Sequence, residues 1–385
     1  MHVAFALLTL FPGRVGGSES YVRGLLGEFA AGNGPERVTV LANGPVMKAY
    51  RERAGGPVAL RHARGYRAGE SDLTRLVAMS TAPLARRRLA RDLPGDVDVL
   101  HHPVTVPIPR MPGVPTVTTV HDLQHRELPG FFSRGERLFR RWAYEGAARR
   151  ADLVLTPSEH ARERLIEIAG VPPERAAAVP LGIDHGRFRA ERTDADATLA
   201  ERLSLPGRYV VYPANLWPHK NHARLIEAFS RLPDDGLELV LSGQDYGRRR
   251  ELEEQARRLG IEGRVTHLGY LEPEDVPALY RGALAMAFPS LYEGFGSPPL
   301  EAMACGCPVA SSTRGSLAEV LGDAALSFDP ESADDIAAAI ARLAEDGALR
   351  ERLIERGLER ARGFTWEAAA RRHLELYELA RTLGA

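Results

Sequence analysis

The stretch Phe288-Pro-Ser-Leu-Tyr-Glu-Gly-Phe-Gly-Ser-Pro-Pro-Leu-Glu301 joins two kinds of secondary structure. The apolar run Ala283–Phe288 that leads into it is short and predicts a buried strand. Pro298 and Pro299 predict the first turn of a helix, where the missing N–H of proline costs no hydrogen bond. Because a buried strand, a glycine turn and a helix in succession are typical of parallel sheets covered by helices, the stretch predicts an α/β fold.

The same turn carries groups that bind ligands. Gly294 and Gly296 flank Phe295, and the backbone N–H groups of such a turn and of the following helix can bind an anion or a sugar oxygen. Glu293 lies in the turn and Glu301 on the helix, and carboxylates are good acceptors for hydroxyls but poor partners for phosphates. Together these groups predict a ligand with both phosphates and a polyol, and a nucleotide-sugar has both.

Length and composition limit the classes of protein that fit. A chain of 385 residues exceeds one comfortable core, so two domains are expected. No apolar run reaches the roughly 20 residues that span a bilayer. The first residues, Met1 to Leu8, lack the basic region of a signal peptide, so none is expected. Cys305 and Cys307 are too close for an easy disulfide and are interpreted as small buried residues in a reducing cytoplasm.

Predicted strands and helices alternate in two series. In the first, a helix is predicted at Ser18–Ala31 after the loop Thr9–Gly17, and strands at His2–Leu8, Arg37–Leu41, Val97–His101, Thr116–Val120 and Ala151–Thr156. In the second, strands are predicted at Arg208–Ala214, Leu237–Ser242, 264–268, Ala283–Phe288, Pro308–Ser312 and Ala324–Phe328, and helices at Asn221–Leu232, 247–259, 273–281, Ala333–Leu343, Ala348–Ala361 and Trp366–Leu383.

This order predicts two Rossmann-like domains in series. The first domain is predicted at residues 1–185 and the second at residues 208–364. A charged segment with little periodicity, residues 186–207, is the predicted linker. Residues 365–385 are predicted as a C-terminal helix that crosses back to the first domain.

Two motifs follow predicted strands of the first domain, at the end where parallel sheets bind ligands. Gly16 and Gly17 precede the first helix and would let its backbone approach a phosphate, and a plain turn is the alternative. His121 follows the strand Thr116–Val120 and could donate a hydrogen bond to a substrate hydroxyl or carbonyl. A capping pair with Asp122 is the alternative for this histidine.

Lys220 lies between a predicted strand and a helix, in Tyr212-Pro-Ala-Asn-Leu-Trp-Pro-His-Lys-Asn-His222. The chain has two lysines, Lys48 and Lys220, against 48 arginines, so a compact ammonium is expected to matter in this loop. A pyrophosphate leaving group is a natural partner, and an incidental lysine is the alternative. His219 and His222 could add donors or be solvated. No metal is predicted, because no spacing typical of a metal site is found around His101, His102, His121 and His125.

These motifs resemble those of one family. Over nearly its full length, the chain is similar to the retaining nucleotide-sugar glycosyltransferases of the GT-B fold, glycosyltransferase family 4 (glycosyltransferases group 1). The specific part of the resemblance is Glu293-Gly-Phe-Gly through Glu301, followed by Ala302-Met-Ala-Cys-Gly-Cys-Pro-Val309. Supporting matches are Gly16-Gly17, His121-Asp122, Lys220-Asn221, Ser242-Gly243, Pro180-Leu-Gly-Ile-Asp184 and Phe364-Thr-Trp366.

The resemblance implies roles for residues of the second domain. Glu301 would hold the ribose hydroxyls of the nucleotide. Glu293 would accept hydrogen bonds from the donor sugar, helped by the N–H groups of the turn Gly294-Phe-Gly296. Lys220 would neutralise the diphosphate as it leaves. The family's arginine five residues before the lysine is replaced here by Asn215, so one positive charge on the diphosphate is missing.

The resemblance also implies roles in the first domain and a reaction. Gly16 and Gly17 would meet the phosphate, and His121 would contact the sugar near its anomeric carbon. The implied enzyme is a cytoplasmic hexosyltransferase of polysaccharide biosynthesis that needs no metal and no cofactor besides its donor substrate. It would move a hexose, with retention, from a nucleoside-diphosphate sugar to a saccharide or lipid-linked acceptor. The segment Trp217–His222 favours GDP-mannose as the donor, and no nucleic acid partner is expected.

Two other classes of function remain as alternatives. One is a GT-B-like sugar-nucleotide epimerase or phosphorylase. The other is a non-enzymatic, two-lobed sensor of nucleotide-sugars, which would bind tightly without turnover. Release of nucleoside diphosphate only when an acceptor is present would distinguish a transferase from both.

Charged residues are distributed unevenly along the chain. Residues 1–190 hold 27 Lys and Arg against 19 Asp and Glu, a balance of +8, whereas the remainder carries −9. One interpretation is a first half that meets an anionic partner, such as a membrane surface or a lipid phosphate. A solvated arginine-rich face is the other.

The stretch Phe131–Tyr144 is both basic and aromatic. A helix is predicted from about Ser133, with Leu138, Phe139 and Trp142 near one another. Such a helix can lie at a bilayer interface, which would make the protein peripheral at the inner face of the membrane. Because aromatic residues at helical spacing are usually core residues, we expect Leu138 and Trp142 to pack inside the first domain. The arginines spread over the rest of the helix are Arg134, Arg137, Arg140 and Arg141.

Overall fold

The computed structural model describes residues 1–13, 16–64, 66, 89, 91–106, 108–109, 111–233 and 236–384. Two residues of the predicted loop Thr9–Gly17, numbers 14 and 15, therefore lie outside the described part. The chain forms two compact units, of which the first comprises Met1–Gly182 with Thr365–Ala385 and the second Ile183–Phe364. Residues 186–207, the predicted linker, belong to the second unit and contain a helix, Asp194–Arg202.

The described part of the first unit contains a seven-stranded parallel sheet. Its strands are β1 (His2–Leu7), β2 (Arg37–Ala42), β3 (Val58–His62), β4 (Val99–His102), β5 (Thr116–Thr119), β6 (Leu153–Thr156) and β7 (Ala176–Ala178). They lie side by side in the order β3-β2-β1-β4-β5-β6-β7. The order reverses between β1 and β4, and in sheets of this kind the carboxyl ends at such a switch point bind ligands.

The sequence predicted the inner strands and missed the two edge strands, β3 and β7. The predicted strand His2–Leu8 corresponds to β1, whose six residues are all buried, as befits a parallel strand covered on both faces. Strand β7 consists of three alanines, which have low β-propensity, and β3 is largely exposed. Edge strands are paired on one side only, so their sequences carry a weaker hydrophobic signal.

Helices cover the sheet of the first unit. The described residues up to Gly182 contribute α1 (Gly17–Ala30), α2 (Gly44–Ala49), α3 (Gln124–Glu127), α4 (Arg134–Arg140), α5 (Gly146–Arg150) and α6 (Glu159–Ala169). A π-helical turn, Arg141–Glu145, connects α4 with α5. Short 3₁₀ turns lie at Arg51–Arg53, Pro129–Phe131 and Pro173–Arg175.

The described part of the second unit contains a six-stranded parallel sheet. Its strands are β8 (Tyr209–Pro213), β9 (Glu238–Ser242), β10 (Val265–His267), β11 (Ala285–Phe288), β12 (Val309–Ser312) and β13 (Ala325–Phe328). They lie in the order β10-β9-β8-β11-β12-β13, so the switch point falls between β8 and β11. All six strands coincide with predicted segments.

The second unit has helices on its sheet as well. They are α7 (Asp194–Arg202), α8 (His222–Phe229), α9 (Arg249–Arg258), α10 (Val276–Gly282), α11 (Ser297–Ala304), α12 (Leu317–Leu321), α13 (Ala333–Glu345) and α14 (Gly347–Arg362). Short 3₁₀ turns lie at Pro218–Lys220, Glu262–Arg264 and Gly322–Ala324. Pro298 and Pro299 stand in the first turn of α11, as predicted.

The last helix, α15 (Trp366–Leu383), belongs to the first unit. The Thr365 hydroxyl caps its start by accepting a hydrogen bond from the N–H of Ala368 at 3.1 Å. Trp366 packs so closely on α1 that a Cβ at Gly24 would lie 2.1 Å from its ring. The buried face of α15 includes His373 and Tyr377, so the helix places polar side chains in the interior of this unit.

The basic helix α4 corrects one prediction. Leu138 and Trp142 were expected in the core, but they are 68% and 58% exposed, and Phe131 is 42% exposed. Ser133 and Glu136 form a capping box that starts the helix without help from the core. Spacing alone could not show this, because helical spacing of apolar residues does not say whether another element covers that face. Among the described residues, no helix is both long enough and apolar enough to cross a membrane.

Candidate active site

The switch point of the second unit brings Lys220 and Glu293 together. Lys220 ends the 3₁₀ turn after β8, and Glu293 follows β11, which pairs directly with β8. The Lys220 ammonium Nζ donates to Oε1 of Glu293 at 2.5 Å, and the side chains are 11% and 13% exposed. Nζ also lies 5.5 Å from the centre of the Phe288 ring. The sequence indicated both residues as ligand-binding but did not indicate that they pair with each other.

The backbone of the Lys220 loop is tied to its surroundings on two sides. The Tyr212 hydroxyl donates to the carbonyl of Lys220 at 2.8 Å. Asn221 adopts a left-handed conformation with φ 62°, and its amide donates to the carbonyls of Pro289 at 3.2 Å and Pro330 at 2.7 Å. The ammonium is therefore presented from a rigid loop, which is what a preorganised electrostatic site requires.

The Glu293 loop is held by groups that sequence reasoning missed. Both the backbone N–H and the hydroxyl of Ser316 donate to the carbonyl of Glu293 at 3.1 Å. A Cβ at Gly315 would lie 2.5 Å from that carbonyl oxygen, so the close approach needs glycine. The N–H of Leu291 donates to the carbonyl of His219 at 2.8 Å and joins this loop to the lysine loop. The signal that could have found Gly315 and Ser316 is a glycine turn directly after a predicted strand.

Glu301 lies in the second turn of α11 and is partly buried. Burial raises the pKa of Glu301 to about 7, an effect that the Arg187 charge and a hydrogen bond from Tyr280 oppose. This carboxyl is therefore divided between its protonated and ionised forms near neutral pH. Gly296 precedes the helix with φ 92°, a left-handed conformation that favours glycine. A ligand hydroxyl that donates to Glu301 would favour its ionised form.

The turn between Glu293 and α11 offers backbone rather than side chains. Phe295 is buried, and its ring meets the ring of Phe364 edge-on at 5.7 Å. With the Phe295 side chain in the core, the groups that Gly294, Phe295 and Gly296 can present to a ligand are their main-chain N–H groups. The main-chain role that the resemblance implies for this turn stays a prediction.

Asn215 and the neighbouring histidines are used within the loops. The side-chain oxygen of Asn215 accepts from the N–H of Gln244 at 2.9 Å, which ties the loop after β8 to the loop after β9. His222 is buried, its Nε2 lies 3.2 Å from the carbonyl of Ala214, and burial lowers its pKa to about 3. The His222 ring is therefore neutral and belongs to the core. The ring of His219 stacks on Trp217 with centres 5.7 Å apart.

In the first unit, Gly16 and Gly17 start α1, and Gly16 has φ 52°. A carboxylate that the sequence did not single out stands beside them. Glu19 is 8% exposed and accepts from the N–H of Gly13 at 2.6 Å and from Arg23 at 2.6 Å. Its negative charge is compensated by Arg23, so it does not cancel the favourable field of the helix N-terminus.

His121 follows β5 and is partly buried. Its Nε2 lies 2.8 Å from the carbonyl of Pro103, which can only accept, so the ring proton is on Nε2. Burial lowers the pKa of His121, which keeps the ring neutral and leaves Nδ1 as a hydrogen-bond acceptor. The expected donor role toward a substrate is thus not open to Nε2. Asp122 accepts from the N–H of Gln124 at 3.0 Å, as the capping alternative expected.

The other histidines of this region are bound to protein groups. His102 contacts the carbonyl of Pro109 at 2.7 Å, and His125 contacts the buried carboxylate of Glu145 at 3.4 Å. Within the described ranges, no group of three or more His, Cys, Asp and Glu side chains is arranged to hold a metal ion. Cys305 and Cys307 are free and buried, as predicted.

Two parallel Rossmann-like sheets in one chain, with candidate ligand groups at their switch points, are typical of the GT-B fold. The family described as "Glycosyltransferase Family 4" matches residues 15–187, and "Glycosyl transferases group 1" matches residues 200–360. The chain therefore belongs to the group 1, family 4 glycosyltransferases and is an enzyme of that kind.

Relatives agree with this assignment, and a solved structure shares the fold. O-antigen chain mannosyltransferase B of Escherichia coli is 33% identical over 267 residues, which cover 68% of this chain and 70% of that protein. MMP alpha-(1->4)-mannosyltransferase of Mycolicibacterium hassiacum is 30% identical over 321 residues, covering 78% and 75%. The structure of Anabaena HepE in complex with UDP and glucose superposes with a TM-score of 0.75 at 22% identity, covering 98% of this chain and 100% of that one.

Proposed function

We propose that this glycosyltransferase moves a mannosyl group from GDP-mannose to a saccharide or lipid-linked acceptor, with retention and without a divalent metal. The observation that carries the proposal is the Lys220–Glu293 pair at the switch point of the second sheet. The names of both relatives described above, each a mannosyltransferase, support mannose as the sugar. The segment Trp217–His222 favours GDP-mannose as the donor.

The two charges of the pair match the two charges that develop in the reaction. Breaking the bond between the anomeric carbon and the diphosphate oxygen leaves negative charge on that oxygen and positive charge on the sugar. The Lys220 ammonium would stabilise the first, and the Glu293 carboxylate would accept from a sugar hydroxyl and stabilise the second. The acceptor oxygen then bonds to the anomeric carbon on the face that the diphosphate leaves, and its proton passes to the leaving diphosphate.

In this proposal, Lys220 and Glu293 exchange each other for groups of the donor when it binds. Before the donor binds, the ammonium and the carboxylate neutralise each other. A diphosphate would then take the ammonium, and sugar hydroxyls would take the carboxylate, so neither charge is left buried and unpaired. Glu301 would hold the ribose hydroxyls. Gly16, Gly17 and His121 keep the roles that the family resemblance implies, with His121 accepting a hydrogen bond through Nδ1.

The proposal is tested by donor screening followed by product analysis. Thermal shifts with GDP-, UDP-, ADP- and TDP-sugars identify the donor, since a ligand at 100 times its dissociation constant stabilises by about 2.7 kcal/mol. GDP-mannose is expected to give the largest shift. Transfer in EDTA should equal transfer in magnesium, and the product linkage should have the anomeric configuration of the donor by NMR. A larger shift with another sugar-nucleotide, an inverted product or a loss of activity in EDTA would contradict the corresponding part.

We further propose that the first unit meets an anionic membrane surface, peripherally and at its inner face. Phe131, Leu138 and Trp142 are exposed apolar side chains, and the exposed Arg134 and Arg141 flank them. Aromatic side chains beside arginines suit the boundary between headgroups and acyl chains. Each basic residue near anionic lipid contributes about 1 kcal/mol, so the +8 balance of residues 1–190 favours such a surface over a neutral partner.

Sedimentation with vesicles tests this surface. Binding to anionic vesicles is expected at low salt and should weaken at high salt and with neutral vesicles. Arg134→Glu combined with Arg141→Glu should weaken binding. Arg250→Glu, at a 90% exposed arginine of the second unit, is the control and should have little effect. No binding to anionic vesicles at low salt, or equal effects of the two sets of changes, would overturn the proposal.

A further inference from the structure

A chain of buried hydrogen bonds crosses the first unit beside His121. The Tyr377 hydroxyl lies 2.8 Å from Nδ1 of His101, and Nε2 of His101 lies 2.8 Å from the Thr119 hydroxyl. That hydroxyl lies 3.0 Å from the hydroxyl of Tyr21, which lies 2.7 Å from Nε2 of His373. All five side chains are 3% exposed or less. We call this the α15 hydrogen-bond chain, because its first and last members, Tyr377 and His373, lie on α15.

The direction of every bond in this chain follows from its last contact. Nδ1 of His373 lies 2.7 Å from the carbonyl of Ala369, which can only accept, so Nδ1 carries the ring proton. Burial lowers the pKa of His373 to about 4 and that of His101 well below its usual value, so both rings are neutral. Nε2 of His373 must then accept from Tyr21, whose oxygen accepts from Thr119.

The remaining two bonds are determined in the same way. Since the Thr119 hydroxyl donates its one hydrogen to Tyr21, its oxygen must accept a hydrogen bond from Nε2–H of His101. Nδ1 of His101 is then unprotonated and accepts from the Tyr377 hydroxyl. One arrangement of protons satisfies the whole chain, so its members are held in single orientations.

The chain connects elements that carry candidate site residues. Thr119 ends β5, two residues before His121, and Tyr21 lies one turn into α1, which begins at Gly17. The Tyr21 ring meets the His121 ring edge-on, with centres 5.1 Å apart and an angle of 76° between planes. His121 is therefore confined by two contacts, the carbonyl of Pro103 on Nε2 and the ring of Tyr21.

We propose that Tyr21 is a positioning residue for His121 and that α15, through His373, holds Tyr21 in place. The inference rests on the proposed role of His121 in sugar transfer. Tyr21 acts through another side chain, so it needs no contact with substrate. Residues 373 and 377 are distant in sequence from the strand-end motifs, yet the orientation of His121 depends on them through buried contacts.

Transfer kinetics of Tyr21→Phe, which removes a single oxygen, test the proposal. The turnover number is expected to fall about tenfold or more, because small misplacements of reacting groups are costly. The nucleotide dissociation constant should stay within about twofold, because Lys220, Glu293 and Glu301 belong to the second unit and the proposed phosphate contacts of Gly16 and Gly17 are main-chain groups that this change leaves in place. Tyr50→Phe is the matched control, since it removes another buried tyrosine hydroxyl of the first unit from outside the chain.

Two changes at α15 separate positioning from stability. His373→Leu should lower turnover as Tyr21→Phe does, and His373→Gln should recover part of it, because the Gln oxygen can accept from Tyr21. Leu376→Ala, at a residue of α15 that is 2% exposed, should lower the melting temperature and leave turnover unchanged. If His373→Leu fails to fold, Tyr21→Phe alone decides. Wild-type turnover in Tyr21→Phe, or an equal loss in Tyr50→Phe, would overturn the inference.

A measurement that needs no substrate tests the positioning contact independently of the proposed function. In ¹⁵N-histidine NMR, His373 should show the Nδ1–H tautomer, and His101 and His121 the Nε2–H tautomer. Tyr21→Phe should shift the ring resonances of His121, and Tyr50→Phe should not. If no donor supports transfer but these shifts occur, the positioning contact stands and the proposed function fails. If the His121 resonances are unchanged, the inference fails whatever the activity.

Discussion

The strand-end clusters of the two units differ in how much of their bonding capacity is already used. In the second unit, Lys220 and Glu293 are oppositely charged and remain 11% and 13% exposed. An ammonium has three donors and a carboxylate about four acceptor sites, so one shared bond leaves most of them open. In the first unit, the α15 hydrogen-bond chain is neutral and buried, and each hydroxyl hydrogen has one acceptor.

The comparison teaches which cluster can bind a ligand and which can only hold others in place. A charged pair near solvent can exchange partners with a diphosphate and a hydroxyl at little cost, because each charge is compensated before and after. A closed neutral chain has nothing to offer a ligand, and opening it would leave buried polar groups unsatisfied. Binding and chemistry are therefore assigned to the pair, and positioning to the chain.

The largest expected effect comes from breaking the pair at Lys220. Lys220→Ala should lower the turnover number by about a hundredfold or more, as the loss of a transition-state donor does, measured as initial rates at saturating donor. Lys220→Arg should restore only part of the turnover, because the planar guanidinium of arginine differs in shape from the compact ammonium of lysine. The chain's other lysine, the exposed Lys48, gives the control Lys48→Ala, which should keep full activity. Full activity in Lys220→Ala would rule out the leaving-group role.

The two glutamates should separate affinity from turnover. Glu301→Ala should weaken the binding of free nucleoside diphosphate by about tenfold or more, because a hydrogen bond to a charged group contributes about 1.5–3 kcal/mol. Glu293→Ala should reduce turnover more than nucleotide affinity, because in the proposed mechanism Glu293 binds the sugar that reacts. Calorimetric titration with nucleoside diphosphate beside steady-state kinetics measures both. Nucleotide affinity equal to wild type in both variants would show that Glu301 does not hold the ribose.

The pH dependence of stability should identify Glu301 as well. Its folded pKa of about 7 exceeds the usual 4.5, so its contribution to stability is present below about pH 4.5 and is lost as pH rises through 7. Glu301→Gln resembles the protonated form and should lack this loss. Between pH 5 and pH 8, the unfolding free energy of wild type should fall relative to the variant by on the order of 2 kcal/mol in denaturant titrations. Parallel pH curves for the two proteins would contradict the shift.

The smallest expected effect comes from opening the neutral chain at Thr119. Thr119→Val removes the oxygen shared by Tyr21 and His101 and should lower the unfolding free energy by at least about 1 kcal/mol, because the buried Nε2–H of His101 loses its acceptor. Its neighbour Thr118 is the matched control, because its buried hydroxyl has no hydrogen-bond partner among the described residues. Thr118→Val should be neutral or stabilising in the same denaturant titration. Equal effects of the two changes would show that the chain contributes nothing specific.

Local sequence patterns predicted much of the fold and the charged residues of the candidate site. The apolar run before Phe288 and the two prolines after Gly296 predicted β11 and the start of α11, because strand burial and helix starts are local properties. Lys220 could be found from its rarity and its position after a strand. The exposure of Leu138 and Trp142 could not be found in this way, because it depends on whether another element covers α4 and the π-helical turn after it.

By itself, the sequence determined the strands other than β3 and β7, the two series of elements, and the glutamates, glycines and lysine that follow the strands. Only the tertiary structure decided which groups meet. Lys220 and Glu293 are 73 residues apart, and Tyr21 and His373 are 352 apart. Hydrophobic period and turn chemistry act over a few residues, whereas a hydrogen bond depends on distance and angle in space. The partners of Lys220 and Tyr21 are therefore decided by strand order and helix packing, which bring distant residues into contact.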